Sequence, residues 1–345
     1  MSYYEKAFVQ YDDTANLDAF SRLRVSNPTT LFDSKFHYDL APLQFEAIVS
    51  GGTVTHDATD SNALLATTAG GAGQLAAMQS YRWMRYQPGK SQMALLTFVF
   101  GAAAANVTRR AGLFSATNSG ATVTIANGVY LEQTNAGVTL NIVNSGTQAD
   151  QSKAQADWNP DTFGAGSLNP SGITLDLSAA QILVIDLQWL GVGRVRVGFD
   201  IDGHLYYAHE FRNANLITDV YMQTATLPVR WELTTQASVA SNMKPICSAV
   251  VSEGGQENQD GYEFATEFTG TAGNGTRVHL GSFRPFLTFN SIVVRYPIIL
   301  TGVEAIVTGA NPVLFEIVYG ATFSAGPTWA GAAANAYSGV EITTA

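Results

Sequence analysis

The sequence has little charge and a single cysteine. Asp, Glu, Lys and Arg together make up 13% of its 345 residues, about half the share found in ordinary soluble proteins. One cysteine, Cys247, excludes an intramolecular disulfide and a Cys-rich zinc site, and we predict that it is a small core residue. Stability must therefore come from packing and assembly, and the composition favours a packed assembly component over a freely diffusing enzyme.

Positive charge and long apolar runs are also scarce. The formal net charge is -10 and no run of Lys or Arg occurs, so the sequence argues against a nucleic-acid partner. The longest apolar run, residues 93–105, is shorter than the about 20 residues of a membrane-spanning helix. The first residues resemble no signal peptide. We expect no membrane partner and synthesis in a host cytoplasm.

Helical periodicity is missing, and short β-type segments fill the chain. They are rich in β-branched and aromatic residues and are bounded by Gly, Asn or Ser. The pattern predicts an all-β protein: a jelly-roll-type β-sandwich with an extended N-terminal arm and a smaller C-terminal β-domain. The predicted boundaries are 1–35 for the arm, 36–254 for the sandwich and 255–345 for the C-terminal domain, which includes strands in VEAIVTG and VLFEIVYGATF.

Residues 181–211 carry the strongest local signal. Gly191 to Gly193 and Asp202-Gly203 separate three apolar runs, and Asp-Gly between alternating hydrophobic residues is typical of a type I′ hairpin turn. This predicts a three-stranded meander. In RVRVGF, alternation predicts that Arg194 and Arg196 lie on a solvent-facing side of the strand, opposite two valines.

Sequence motifs for catalysis or for ligand binding are weak. Gly89-Lys90-Ser91 ends like a phosphate-binding loop, but Met84 occupies the position where that motif needs its first glycine. The five histidines are scattered. We predict no catalytic, cofactor-binding or metal-binding residue, and no cofactor.

Carboxylates are concentrated after SAVV. The loop lacks the alternating Asp/Asn pattern of a calcium site, so a solvated acidic loop is the favoured interpretation, with calcium binding as the alternative. Its acidic residues are Glu253, Glu257, Asp260, Glu263 and Glu267.

Aromatic residues occur beside arginines in SYRWMRYQP and LPVRWEL. Trp83, Tyr86 and Trp231 are the candidates. Arginine next to an aromatic ring is typical of protein interfaces and of surfaces that stack on sugars. A strand with one buried aromatic face explains the pattern equally well.

DAFSRLRVSNPTTLFDSK resembles the N-terminal signature of a group of tailed-bacteriophage virion structural proteins. RYQPGKSQ, WLGVGRVRVGF, LPVRWEL and ICSAVVSEGG also resemble that family, in the same order. Two positions differ: Ser21 stands where glycine is common, and Thr29 where an aromatic residue is common. The resemblance implies a non-enzymatic particle component and assigns no catalytic residue.

The arm offers apolar anchors and two cationic donors for assembly. Burying each apolar side chain is worth about 1.5–3 kcal/mol, which offsets part of the cost of ordering the arm. The arm could be held by its own β-body, by a second subunit or by the particle, and we favour docking between subunits. A protein that lacks residues 1–35 should then fold but not assemble. The residues are Phe20, Arg22, Leu23, Arg24, Val25, Leu31 and Phe32.

These features lead to the expectation of a structural subunit in a phage virion. We expect a homo-oligomer that contacts other tail, neck or capsid proteins, at the tail or head-to-tail region. A head decoration or fibre protein is the first alternative. A module that binds host glycans through Trp83, Tyr86 or Trp231 is the second, and a polysaccharide-degrading enzyme is the third.

Overall fold

The computed structural model describes residues 16–25, 27–71, 73–146, 151–255, 257, 265–271, 275, 277–289, 292–294, 298–309, 312–318, 328–331 and 340–344. The chain divides into two compact units, residues 1–257 and 258–345. The division lies three residues from the predicted boundary at 254. The described secondary structure is β-strand apart from one 3-10 turn, Gln155–Asp157.

The first unit contains two antiparallel sheets. One has eight strands in the order β13-β12-β11-β6-β15-β4-β3, with β1 paired to β15. Strand β15 pairs with β4 through its first three residues and with β1 further along the same edge. The bounds are β1 (Thr29–Lys35), β3 (Thr53–Asp57), β4 (Asn62–Thr67), β6 (Ser91–Val99), β11 (Gln181–Leu187), β12 (Val195–Ile201), β13 (His204–Phe211) and β15 (Ser241–Glu253).

The second sheet has seven strands in the order β10-β9-β8-β7-β14-β5-β2. Its central strands β7 and β8 are the longest and pair along almost their whole length. The bounds are β2 (Phe45–Ser50), β5 (Gln74–Met84), β7 (Val107–Ser119), β8 (Thr122–Thr134), β9 (Gly137–Val143), β10 (Ser152–Ala154) and β14 (Leu227–Thr235).

The core lies between the two sheets. Alternation along the strands builds it: in β6, Ala94, Leu96 and Phe98 are buried, whereas the residues between them are half-buried. Strand β14 contributes Val229, Trp231 and Leu233 from the other sheet. The predicted all-β, jelly-roll-type sandwich is confirmed.

The predicted meander is confirmed, because β11, β12 and β13 are consecutive neighbours. Asp202 and Gly203 both have positive φ, 55° and 79°, as the hairpin turn requires. The prediction of a wet face is wrong for Arg196. This side chain is on the face opposite the core, yet it is only 1% exposed, because residues near the N-terminus cover it.

Residues 29–35 belong to the body of the sandwich. They form β1, which pairs with residues 247–252 of β15. Leu31 and Phe32 are buried in the main core. This corrects the predicted arm: its last seven residues are a strand of the sheet.

Cys247 also differs from its prediction. Its neighbours Ser248 and Val250 are buried, whereas Cys247 is half-buried and its thiol donates to Thr97 Oγ1 at 3.2 Å. The cysteine therefore lies on β15 away from the core.

The second unit contains short strands. A three-stranded sheet has the order β16-β20-β19, and β17 pairs with β18. The bounds are β16 (Gly281–Pro285), β17 (Thr288–Phe289), β18 (Ile292–Val293), β19 (Ala330–Gly331) and β20 (Val340–Thr344). Residues 298–309 and 312–318, where VEAIVTG and the first part of VLFEIVYGATF predict strands, form none. The rest of the second run lies outside the described residues.

Candidate functional site: the docking segment

Residues 16–25, here called the docking segment, fold into a compact loop. Asp18 closes it: its Oδ1 accepts hydrogen bonds from the backbone N–H groups of Phe20 and Arg22, both at 2.9 Å, and its Oδ2 accepts from Arg22 Nε at 2.7 Å. Leu17 and Leu23 form an isolated antiparallel bridge. Ser21 has φ 60°, in the left-handed region that favours glycine.

The docking segment lies on the eight-stranded sheet, on the face opposite the core. Leu17, Asp18 and Ala19 are buried there. Leu17 accepts a hydrogen bond through its carbonyl oxygen from Arg196 Nη2 at 2.6 Å, and Ala19 accepts one from Arg194 Nη2 at 3.1 Å. Backbone carbonyl oxygens of the segment thus accept hydrogen bonds from Arg196 of β12 and from Arg194 in the turn before it. The segment also covers both side chains.

Asp186 is the centre of this contact. The residue is fully buried, and its Oδ2 is bound by Arg24 Nη2 at 2.5 Å, Arg196 Nη2 at 2.6 Å and the Tyr207 hydroxyl at 2.7 Å. Its Oδ1 accepts from the Ser91 hydroxyl at 2.9 Å. Four donors saturate this carboxylate, so it holds the segment in place and offers no free base.

A second carboxylate, that of Glu253, balances the positive charge of the two arginines. Glu253, at the end of β15, lies with its Oε1 2.8 Å from Arg24 Nε. Two arginines, Arg24 and Arg196, therefore meet two carboxylates in a nearly dry interface. A buried ion pair needs such matching, because removing one partner leaves an uncompensated charge.

The environment shifts several pKa values. Burial, and then the nearby charge of Asp186, raises the pKa of Glu253 above its ordinary range, although Arg24 opposes the shift. Burial also raises the pKa of Tyr207 strongly, with Asp186 adding to the effect. Burial disfavours the charge of Arg24, but Asp186, Tyr207 and Glu253 outweigh it, and the pKa of Arg24 is raised. The cation at Arg24 is stable at any physiological pH.

The predicted anchors divide into three groups. Leu31 and Phe32 are core residues of β1. Phe20 is half-buried and lies 4.8 Å from the Arg22 guanidinium, and Arg22 also donates to the Gly89 carbonyl at 3.2 Å. Leu23 and Val25 are 47% and 86% exposed. Arg22 and Arg24 hold the segment on its own sandwich, whereas the sequence favoured docking between subunits, and two of the apolar anchors face solvent.

The sequence reasoning missed the acceptors of this site. Asp186 interrupts the apolar run QILVIDL of β11, and Glu253 was assigned to the solvated acidic loop but is buried at the end of β15. A lone carboxylate within a buried strand is a signal of a buried cationic partner. Of the other acidic-loop residues, Glu257 and Glu267 are exposed, whereas Asp260 and Glu263 lie outside the described residues.

The three aromatic candidates are in different environments. Trp231 is fully buried and packs against Phe36 and Phe45, with ring centroids 5.8 and 5.6 Å away. This corrects its assignment as a stacking surface, because no face of the ring is open. Tyr86 is 8% exposed, and its hydroxyl accepts from the Trp189 backbone N–H at 3.1 Å. Trp83, on β5, keeps part of its surface.

A ladder of ion pairs lies on the outward face of the seven-stranded sheet. Arg110 bridges Glu132 and Glu232, with both N–O distances at 2.6 Å, and Arg230 binds Glu232 at 2.7 Å. The pKa of Arg110 is raised, because the two carboxylates outweigh the effect of burial. Both carboxylates are therefore engaged by arginine across β8, β7 and β14.

The described residues contain neither a metal-binding cluster of three His, Cys, Asp or Glu residues nor a helix long and apolar enough to cross a membrane. No protein-family model and no curated protein matches the chain.

Several solved structures resemble it weakly. A protein of unknown function from Shewanella oneidensis MR-1 has a TM-score of 0.42 and 10% identity, over 68% of this chain and 94% of its own. A carbohydrate esterase from Shiga toxin-encoding bacteriophage phi24B has a TM-score of 0.37 and 15% identity, over 66% and 99%. A Bacillus licheniformis β-glucanase has 0.40 and 9%, over 64% and 98%. At these values the matches carry no argument about function.

Proposed function

We propose that this chain is a non-enzymatic structural subunit of a tailed-phage virion that assembles through protein–protein contacts. The observation that carries the proposal is the use made of the signature residues. Asp18, Arg22 and Arg24 close the docking segment and fasten it to the sheet. The residues that carry the resemblance to the phage family therefore fix the segment on its own sandwich, a structural use that needs no reactive group.

The charged groups support a structural role. Asp186 has four donors, and Glu132 and Glu232 are each paired with Arg110. A general acid or base must be free to exchange a proton with a substrate. The most deeply buried of these carboxylates are instead neutralised by fixed guanidinium groups, which gives specificity of fit.

The surface around the docking segment carries exposed apolar residues that could contact another virion protein. Leu23 and Val25 project from the segment, and Leu190 and Val192 are 48% and 38% exposed in the turn before β12. The turn lines one shallow cavity together with Arg194 and with residues 19–21 of the segment, not with its two exposed anchors. Apolar side chains around a few polar groups are typical of a protein interface.

Within the particle we assign the protein to the tail or the head-to-tail region, as a homo-oligomer that joins the virion after synthesis in the host cytoplasm. Head decoration and a fibre position are the alternatives. The resemblance to virion proteins supports a place in the particle but does not distinguish head, neck and tail; the proposed partners are tail, neck or capsid proteins.

The test is incorporation into particles. Phage that encode Arg24→Ala should carry at least tenfold less of the protein in purified virions than wild type, because Asp186 and Glu253 lose a shared cation. Arg82→Ala, at an exposed position of β5, is the matched control and should incorporate normally. Electron microscopy of labelled particles then locates the subunit. Complete absence of the wild-type chain from purified virions overturns the proposal.

A glycan-binding surface is the second candidate, and one observation favours it. Trp83 is partly exposed, and Tyr81, two residues earlier in β5, is 48% exposed. Exposed aromatic rings beside an arginine suit sugar stacking. Binding of the purified protein on a glycan array, lost in Trp83→Ala and kept in Tyr38→Ala, would support it; an array without signal would reject it.

A further inference from the structure

The C-terminal unit contains two segments whose apolar side chains are uncovered. In residues 298–309 and 312–318, all positions except 298 are exposed. Ten large apolar residues lie there with exposures between 43% and 83%: Ile299, Leu300, Val303, Ile306, Val307, Val313, Leu314, Phe315, Ile317 and Val318. Glu304 and Glu316 are their only charged residues. Such surfaces are rare on monomeric soluble proteins.

Both faces of the backbone are uncovered. The neighbouring residues Ile317 and Val318 are 71% and 66% exposed, and Ile306 and Val307 are 79% and 44% exposed. Consecutive side chains of a strand point to opposite faces, so an ordinary surface strand alternates apolar and polar residues. Near-continuous apolar runs are instead typical of strands buried on both faces. The sequence of these segments fits the interior of a structure.

The backbone of these segments also lacks a partner among the described residues. Among the described residues, neither segment forms a backbone hydrogen bond with another residue. Both are rich in the β-branched and aromatic residues that favour strands. Unpaired strand-forming backbone readily pairs with a strand of another chain.

We infer that residues 298–309 and 312–318 form strands between copies of this chain, so that the C-terminal β-domain is completed by a second copy. The inference goes beyond the proposed function, since it names the pairing element and its partner. It does not require a virion.

Area and charge favour a second copy over a different protein. The exposed apolar side chains amount to on the order of 1,000 Å² per chain, comparable with the ~800 Å² that each partner contributes to a standard stable interface. Interfaces this apolar are typical of obligate homo-oligomers. With one carboxylate in each segment, contact between copies brings little repulsion, and no charge pattern calls for a complementary partner.

The test uses the full chain. Wild type should elute as a multimer in size-exclusion chromatography with light scattering, and Ile306→Asp/Ile317→Asp should raise the concentration for half-dissociation at least a hundredfold. The control Leu43→Asp/Leu216→Asp changes two residues of the first unit that are 94% and 72% exposed, and should remain multimeric. A monomeric wild type at ~100 µM, with or without another virion protein bound, overturns the inference.

Hydrogen exchange provides the second measurement. Amides of residues 298–309 and 312–318 should exchange at least tenfold more slowly in wild type than in the aspartate variant, while β6 amides exchange equally in both. If the β6 amides exchange faster in the aspartate variant than in wild type, the first unit has been disturbed, and the milder variant Ile306→Ser/Ile317→Ser is measured instead. Fast exchange of both segments in the wild-type multimer contradicts the inference. Absence from virions would reject only the proposed function.

Discussion

Arg24 and Arg196 share one carboxylate oxygen, Oδ2 of Asp186, at 2.5 and 2.6 Å. Arg24 belongs to the docking segment, and Arg196 belongs to β12, so this buried anion links a cation of the segment to a cation of the sheet. The two cations would repel each other without it. Their arrangement makes the position of the segment depend on Asp186.

Replacing Asp186 should therefore weaken the fold of the first unit. In Asp186→Asn the buried Arg196 and the half-buried Arg24 lose their common anion, and loss of one partner of a buried pair costs about 3–5 kcal/mol. Urea unfolding should show this decrease in the free energy of unfolding. Asp33→Asn, at an exposed position of β1, should change it by less than about 0.5 kcal/mol. Equal stabilities of the two variants would contradict the central role of Asp186.

Glu253 should make the fold relatively less stable as pH rises. Its pKa is raised in the folded state, so the folded chain holds this proton more tightly than the unfolded chain does. Its stabilising effect is present at low pH and is lost as pH rises through the raised pKa. Glu253→Gln removes the titration, so its stability relative to wild type should be greater at pH 8 than at pH 4, below the ordinary pKa of a glutamate. A constant difference, measured by urea unfolding, would contradict this.

His209 should make the fold less stable as pH falls. Burial, helped by the charge of Lys153, lowers the pKa of His209 to about 4, while Asp157 opposes the shift. The unfolded chain therefore binds this proton first, and stability should fall by about 1 kcal/mol between pH 7 and 5.5 because of this group. His209→Gln should remove that loss, and His204→Gln, at an exposed position, should keep it. Urea midpoints at the two pH values give the measurement.

Two truncations should behave differently. Removing residues 1–25 takes away the docking segment but leaves β1, so the sandwich should still unfold cooperatively. Removing residues 1–35 also deletes β1 with the core residues Leu31 and Phe32. Loss of two such side chains alone costs several kcal/mol, at about 2–5 kcal/mol each. Thermal unfolding followed by circular dichroism distinguishes them, and similar melting temperatures would show that β1 is dispensable.

Local patterns predicted much of the sandwich. The Asp202-Gly203 turn and the meander around it depend on neighbouring residues, so the sequence specified them. The burial of Arg196 could not be predicted in this way, because Leu17 and Asp186 cover it from distant parts of the chain. Trp231 shows the same limit: an Arg-Trp pair looks alike at a surface and in a core, and only sheet packing separates them.

In the candidate site, too, local features could be predicted from the sequence and long-range contacts could not. Arg24 was identified as a donor from the signature segment, but its acceptors Asp186 and Glu253 come from β11 and β15. Long-range ion pairs leave no periodic trace in a sequence. The described parts of the strands predicted in VEAIVTG and VLFEIVYGATF have strand-forming residues but no pairing partner among the described residues, so propensity and structure differ there.

The pairing of β1 with β15 also sets the order of events during synthesis. Thr29 pairs with Ser252, so the ribosome must make nearly the whole first unit before the first strand finds its place. At about 5–20 residues per second, that strand waits roughly 10–45 s. During this interval Leu31 and Phe32 lack the strand with which β1 pairs, so β1 joins its sheet among the last steps in the folding of the first unit.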